Sequence, residues 1–386
     1  MTDLAEIALL PAGLNDALAP EAAFGAGILR RLMDAFAARG YRRIRPPLME
    51  FEESLFAGNG QAMAQHAFRL MDPLSRRMVA LRPDMTLQVA RIATTRLAKA
   101  ERPLRLGYAG PVLRVKGSQL RPEREFDQAG AELIGAASPE ADLEVILMAA
   151  ETLLDLGVAG LSVDLGMPTL VAALLEGIAD RDVLSPTRAA LDRKDAAAIL
   201  ELAGEGLGPD RARTLVALLE SCGGAERALP ALDALDLPPA AAQARKELVD
   251  LARRLRAEAP DLELTLDPVE NRGFEYHTGV AFTLFARGVA GELGRGGRYV
   301  AGAGQGRAEA ATGVTLFLDT VQQSLPPPRE RPAVYLPRGT ALAEGRRLRA
   351  EGWTTVSGLE TEADARAEAR RMNCSHLWTD GKVVEL

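Results

Sequence analysis

Phe24, Ile28, Leu32 and Phe36 recur at every fourth position, and the spacing predicts one amphipathic helix over 21–39. Gly40 follows as a helix stop. The segment RRIRPPLMEF then reads as extended, because its paired prolines disfavour helix. A second amphipathic helix is predicted over 137–156, opened by a Ser-Pro-Glu signal. Across 113–135 the period changes, and the stretch reads as a strand, a polar arginine-rich loop and a second strand. Alternation along that second strand puts Gln128, Gly130 and Glu132 on one face and Ala129, Ala131 and Leu133 on the packed face. A glycine between two polar residues leaves room for a ligand against the backbone. On these residues alone, a phosphate-gripping hairpin and a solvated one stand level. Residues 262–267 and 276–286 return to strand-like alternation and complete an antiparallel sheet.

Between these strands, over 169–260, alanine and leucine dominate, glycine-rich breaks recur and aromatics disappear. That composition predicts a small all-helical insertion with no catalytic constellation; Asp192, Lys194 and Asp195 read as a solvated helix face. SLPPPRERP (324–332) is a linker, since consecutive prolines favour an extended spacer. Beyond it the pattern is strand, helix, strand, helix, strand. The expected division is a core over 1–325, carrying the insertion, and a small α/β domain over 326–386.

The chain has 386 residues, enough for two or three domains with a real core. Hydrophobic residues make up 47% and charged residues 26%, the balance of an ordinary globular protein. The net charge of −7 and the absence of any basic run lean against nucleic acid as a partner. Cys222 and Cys374 stand far apart without a CxxC pattern, so neither a disulfide framework nor a zinc site is expected. His66 and His376 lack partners at metal-ligand spacing. The early acidic residues of MTDLAEIALLPAG exclude a signal peptide, and no apolar stretch is long enough to span a bilayer. A cytoplasmic protein without membrane association, metal or cofactor is the expectation.

The hairpin over 113–135 resembles motif 2 of the class II aminoacyl-tRNA synthetases, most closely the histidyl enzyme. PPLMEFEE around Pro47 resembles motif 1, the segment through which those enzymes dimerise. LRPDMT (81–86) resembles LRPEGT, NRGFEYHTG (271–279) resembles the histidine-specific RGLDYY, and GRGGRY (294–299) matches a glycine-rich stretch that follows. The resemblance covers most of the chain. It implies an α+β fold: an antiparallel sheet flanked by helices, with a helical insertion and a C-terminal unit like a truncated anticodon-binding domain. GRGGRY by itself lacks the order of a P-loop or a dinucleotide fold, and reads as a glycine turn near the pocket floor.

On the nucleotide side the resemblance breaks. Arg114 stands at the motif 2 arginine, but Lys116 replaces the glutamate that contacts adenine, and lysine can only donate. In ATGVTLFLDTV, Phe317 falls on the motif 3 glycine and Thr320 on the arginine that holds the γ-phosphate. Adenylation is read as lost. The amino-acid side is retained by the same resemblance: Asp84 and Thr86 for the α-amino group, Gln128, Glu132 facing the imidazole, Arg272, and Tyr276 as the first of two tyrosines. His277 replaces the second. One of Arg114 and Arg272 is expected to hold a carboxylate in bidentate geometry; Arg121 and Arg124 are the loop arginines nearest an anion, or else solvated.

A histidine pocket kept beside a dismantled ATP site, with RPDMT, RGFEYHTG and GELGRGGRY, is most similar to the regulatory subunits of ATP phosphoribosyltransferase. That resemblance implies no catalysis by the chain itself and L-histidine as effector. It also implies a short-form catalytic subunit as partner and self-association through the motif 1 region. A divergent histidyl-tRNA synthetase and a pseudo-synthetase that senses histidine or tRNA are the competing readings.

Overall fold

A computed structural model describes residues 9–117, 121–270, 276–303, 307–328 and 331–386, apart from the side chains of residues 58, 59 and 62. Two compact units are present, Met1–Pro326 and Pro327–Leu386. In the first, α1 (Glu21–Ala38) buries Ile28, Leu32 and Phe36 along the stripe read from the sequence. Each such side chain contributes about 1.5–3 kcal/mol when removed from water. Gly40, at φ +83°, ends the helix in a conformation that costs glycine little.

The centre is a nine-stranded sheet. Its strands are β1 (Arg42–Arg43), β5 (Leu104–Leu113), β6 (Glu125–Ile134), β7 (Leu161–Gly166), β8 (Gly223–Gly224), β9 (Glu263–Leu266), β10 (His277–Ala286), β11 (Gly294–Ala301) and β12 (Glu309–Phe317). Their order is β1-β5-β6-β12-β11-β10-β7-β9-β8. From β5 to β7 every pairing is antiparallel, as the sequence predicts. At the margins the expectation needs correction, because β1 pairs with β5, and β7 with β9, in parallel. Parallel neighbours require a long crossover. Between β7 and β9 that crossover is the helical insertion itself.

The insertion comprises α4 (Pro168–Leu174), α5 (Arg181–Asp192), α6 (Ala196–Glu201), α7 (Pro209–Glu220), α8 (Ala225–Asp233) and α9 (Pro239–Glu258). The two-residue strand β8 interrupts it, where the composition predicts helix alone. Nor is the insertion a self-contained appendage: Leu170, Leu215, Leu232 and Leu248 share one apolar core with Val163, Leu165 and Leu284 of the sheet. On that same side lie α1 and α3 (Pro139–Leu156), which starts with proline in its first turn and stops at Gly157, φ +103°.

The other face of the sheet carries α2 (Thr86–Thr94). Beside it lies a three-stranded sheet, β2-β4-β3, made of β2 (Met49–Phe51), β3 (Arg69–Met71) and β4 (Met78–Leu81). The second unit has β13 (Ala333–Leu336), β14 (Thr354–Ser357), β15 (His376–Thr379) and β16 (Lys382–Glu385), with two helices between. β16 pairs antiparallel with β15 and extends the pattern read from the sequence by one strand. Among the described residues, no helix is long and apolar enough to cross a membrane.

Candidate functional site

Strand alternation and register together build the site. Tyr108 of β5 is paired across from Gly130 of β6, Gly313 of β12 from Glu132, and Gly297 of β11 from Gly313. Every second residue on these strands therefore reaches one face, where α2 and the loops on either side wall in a cavity of about 740 Å³. That volume lies within the roughly 300–1,000 Å³ range of small-molecule sites.

Glu132 forms the floor at 1% exposure. Its Oε1 accepts from the Tyr108 hydroxyl at 3.0 Å and its Oε2 from the Tyr299 hydroxyl at 2.9 Å. The Tyr108 oxygen also lies 3.1 Å from Thr86 Oγ1 and 2.9 Å from Thr315 Oγ1. Burial pushes the Glu132 carboxyl up to about 8, against the lowering pull of the two phenols. A protonated Glu132 is a donor as well as an acceptor. A β-carbon at Gly313 would lie 1.7 Å from Glu132 Oε2, so the carboxyl group sits flush on that backbone.

The N-terminal end of α2 supplies the next wall. Asp84 Oδ1 accepts from the Thr86 amide at 2.8 Å, which satisfies one orphan donor of the helix start. Asp84 Oδ2 accepts from Gln128 Nε2 at 3.0 Å, and Gln128 Oε1 accepts from the Met85 amide at 3.3 Å. Asp84 and Thr86 line the cavity, whereas Gln128, fully buried, stands behind Asp84 and orients it. Arg114 donates from Nε to the Pro83 carbonyl at 3.2 Å and lies over the Phe126 ring. Burial, the main cause, lowers its pKa. Tyr276 and His277 close the far side with ring centroids 4.1 Å apart. Arg272 lies outside the described residues.

On the side that the resemblance assigns to a nucleotide, Phe317, Phe126 and Arg121 line the cavity. The Phe317 and Phe126 rings meet edge to face at 6.0 Å. Arg121 lies over both, 4.0 Å from the Phe317 centroid and 5.0 Å from that of Phe126, and its Nε donates to Asp319 Oδ2 at 2.7 Å. Thr320 turns inward and donates to the Glu292 carbonyl at 2.7 Å. Of the two loop arginines read as nearest an anion, Arg121 lines the cavity and Arg124 does not. Arg121 is held in this aromatic ion pair, and Arg124 donates to the carbonyls of Ala12 and Arg114. Lys116 is exposed at the cavity wall.

Residues 13–321 match the sequence model of the histidyl-tRNA synthetase family. A relative from Rhodospirillum centenum, an ATP phosphoribosyltransferase regulatory subunit, is 52% identical over 381 residues, covering 98% of this chain and 97% of its own. The chain belongs to the ATP phosphoribosyltransferase regulatory subunits. Among solved structures, an ATP phosphoribosyltransferase regulatory subunit/histidyl-tRNA synthetase from Bacillus halodurans superposes with a TM-score of 0.81 at 25% identity, covering 94% of this chain and 96% of that one. A chain of the ATP phosphoribosyl transferase complex from Thermotoga maritima shares the fold, with a TM-score of 0.60 at 19% identity over 76% of this chain and 97% of its own.

Several site residues of this family member are not singled out by sequence reasoning. Tyr108 belongs to no quoted motif, Gly313 and Thr315 enter only as letters of ATGVTLFLDTV, and Tyr299 only as the last letter of GRGGRY. The room expected beside Gly130 is taken by Tyr108, whose phenol would lie 2.3 Å from a β-carbon there. GRGGRY is the body of β11 and not a turn. Gly297 clears the His277 ring, and Gly296 clears the Phe282 ring and the Gly313 carbonyl. His66 borders the cavity, whereas His376 lies in the second unit, edge to face with Trp353 at 4.6 Å.

Proposed function

We propose that this chain is the non-catalytic regulatory subunit of a short-form ATP phosphoribosyltransferase, required for that enzyme's activity and carrying the pocket through which L-histidine inhibits it. The observation that carries this reading is the contrast within one cavity. On one side Asp84, Thr86, Arg114, Glu132, Tyr276 and His277 present acceptors, donors and flat rings suited to an amino acid with an imidazole. On the other, Phe317 and Phe126 line the cavity beside Arg121, which is paired with Asp319, where the resemblance would place a glycine and a phosphate-binding arginine. The name of the family and the structurally similar complex from Thermotoga maritima support a catalytic partner.

In this reading the α-amino group of histidine meets Asp84 and Thr86, the carboxylate meets Arg114 or Arg272, and the imidazole meets Glu132 beside Tyr276 and His277, with Gln128 fixing Asp84. No step of bond making falls to the chain. Histidine inhibits because it binds one arrangement of the assembly better than another, since equal affinity for both would shift nothing. The protein works in the cytoplasm, with neither metal nor nucleic acid.

The test is pyrophosphate release by a short-form catalytic subunit, with and without the chain and with and without histidine. Activity that appears on adding the chain and falls again with histidine is the expected result. A catalytic subunit equally active alone removes the regulatory role. Histidine-dependent ATP–pyrophosphate exchange by the chain itself would instead restore the synthetase reading.

A further inference from the structure

Arg295, the first arginine of GRGGRY, has no part in the motif readings, yet it lines the cavity. It alternates with Gly297 and Tyr299 on the cavity face of β11 and stands across from Thr315 of β12. Thr315 Oγ1 lies 3.5 Å from Thr86 Oγ1 and 2.9 Å from the Tyr108 hydroxyl. Arg295 therefore rises beside the wall that carries Asp84 and Thr86. Its Nη2 donates to the Glu292 carboxylate. The Glu292 carbonyl in turn accepts from Thr320 Oγ1 at 2.7 Å and from Arg121 Nη2 at 3.4 Å. Thr320, which stands where the resemblance places a phosphate-binding arginine, thus anchors the residue that orients Arg295.

Burial works against the charge of Arg295, but the Glu292 carboxylate more than offsets it. Tyr276 and Asp84 act in the same direction, and the pKa is raised. For Arg114 the balance falls the other way: burial lowers its pKa, Asp84 supports its charge, and Arg121 and Arg295 oppose it. Two guanidiniums thus depend on the same Asp84 and repel each other, and an anion received by both relieves that repulsion. An α-amino acid makes the matching demand. Its ammonium and carboxylate leave one carbon, so the groups that receive them must be neighbours. A guanidinium presents several donors in a fixed fork, and can hold a second carboxylate beside its first.

From this arrangement we infer that Arg295 is a binding residue for the effector: together with Arg114 it holds the α-carboxylate, next to the Asp84 carboxylate that takes the α-amino group. Glu292 and, behind it, Thr320 are its positioning residues. The site then selects an imidazole ligand that carries a carboxylate over one that lacks it. The inference deepens the effector reading and rests on it, since it assigns one contact of the same ligand in the same cavity.

The deciding measurement is calorimetry on the full-length chain with L-histidine and with L-histidinol. Histidinol keeps the imidazole and the α-amino group and has a hydroxymethyl group in place of the carboxylate. The wild type should bind histidine about tenfold or more tightly than histidinol. Arg295→Gln, which can still bond to Glu292, should weaken histidine about tenfold and leave histidinol within about twofold. Arg295→Lys keeps the charge without the fork, and should lose several-fold for histidine alone. That variant decides the matter if circular dichroism shows the glutamine variant unfolded. Equal losses for both ligands would make Arg295 part of the framework and overturn the inference while the effector reading stands. Histidine binding unchanged in both variants would do the same. A wild type that binds neither ligand overturns the effector reading and the role of Arg295 together.

Discussion

At Glu132 the protonation state is set by where the strands place the carboxyl group. Its ordinary value of 4.5 is raised to about 8, chiefly by burial. The folded chain therefore holds a proton that the unfolded chain releases between those values. Folded protein then binds more protons than unfolded protein, so this group's contribution to stability is full below 4.5, declines as pH rises and is gone above about 8. The slope reaches at most about 1.4 kcal/mol per pH unit. Glu132→Gln removes the titration and keeps hydrogen-bonding groups for both phenols. Urea unfolding from pH 5 to 8 should show stability falling with pH in the wild type and a flatter profile in the variant. Matching profiles would mean that Glu132 is already ionised at pH 5.

The hairpin of β5 and β6 and the end of β12 show what an element-level reading reaches. Alternation alone assigns Gln128 and Glu132 to one face, and resemblance supplies Asp84, Thr86 and Arg114, because these residues sit in short contiguous motifs. Tyr108 and Tyr299, which satisfy Glu132, lie 24 and 167 residues away from it along the chain. Only strand register brings them together, and register is not written in any one segment. The parallel β7–β9 pairing is hidden for the same reason, since the whole insertion separates its strands. The sequence reads Phe317 as filling the cleft, but not its contact with Arg121, because the pairing of that arginine with Asp319 spans 198 residues. The aromatic ion pair predicts an outcome at this scale. Wild-type chain should bind no ATP in equilibrium dialysis. The double change Phe317→Gly with Arg121→Ala should admit millimolar ATP without restoring pyrophosphate exchange, since Lys116 and Thr320 still lack the synthetase chemistry. Equal ATP binding by both proteins would show that these side chains do not close the nucleotide side.

Among the described residues of the first unit, the small three-stranded sheet carries a group of exposed apolar side chains. Leu48, Met49, Leu70, Met71, Leu74 and Met78 are 39–93% exposed, and all belong to the three-stranded β2-β4-β3 sheet or its connections. Both β2 and β3 are edge strands there, so unpaired backbone accompanies the apolar side chains. By register Met49 and Leu70 lie on one face of the small sheet and Met71 and Met78 on the other, so the exposed apolar side chains flank its edges on both sides. We propose that a second copy of the chain covers it, an isologous contact through the motif 1 region, in which each patch meets its own counterpart. The edge strands favour that occupant, since they can pair across a two-fold axis. Light scattering at micromolar concentration should give a dimer for the wild type. Met71→Asp with Leu74→Asp places charges where the two patches meet and should give a monomer with an unchanged circular dichroism spectrum, because neither side chain contributes to a described core cluster. A double variant that remains dimeric would move the self-contact to another face. A monomeric wild type would free this surface for the catalytic partner.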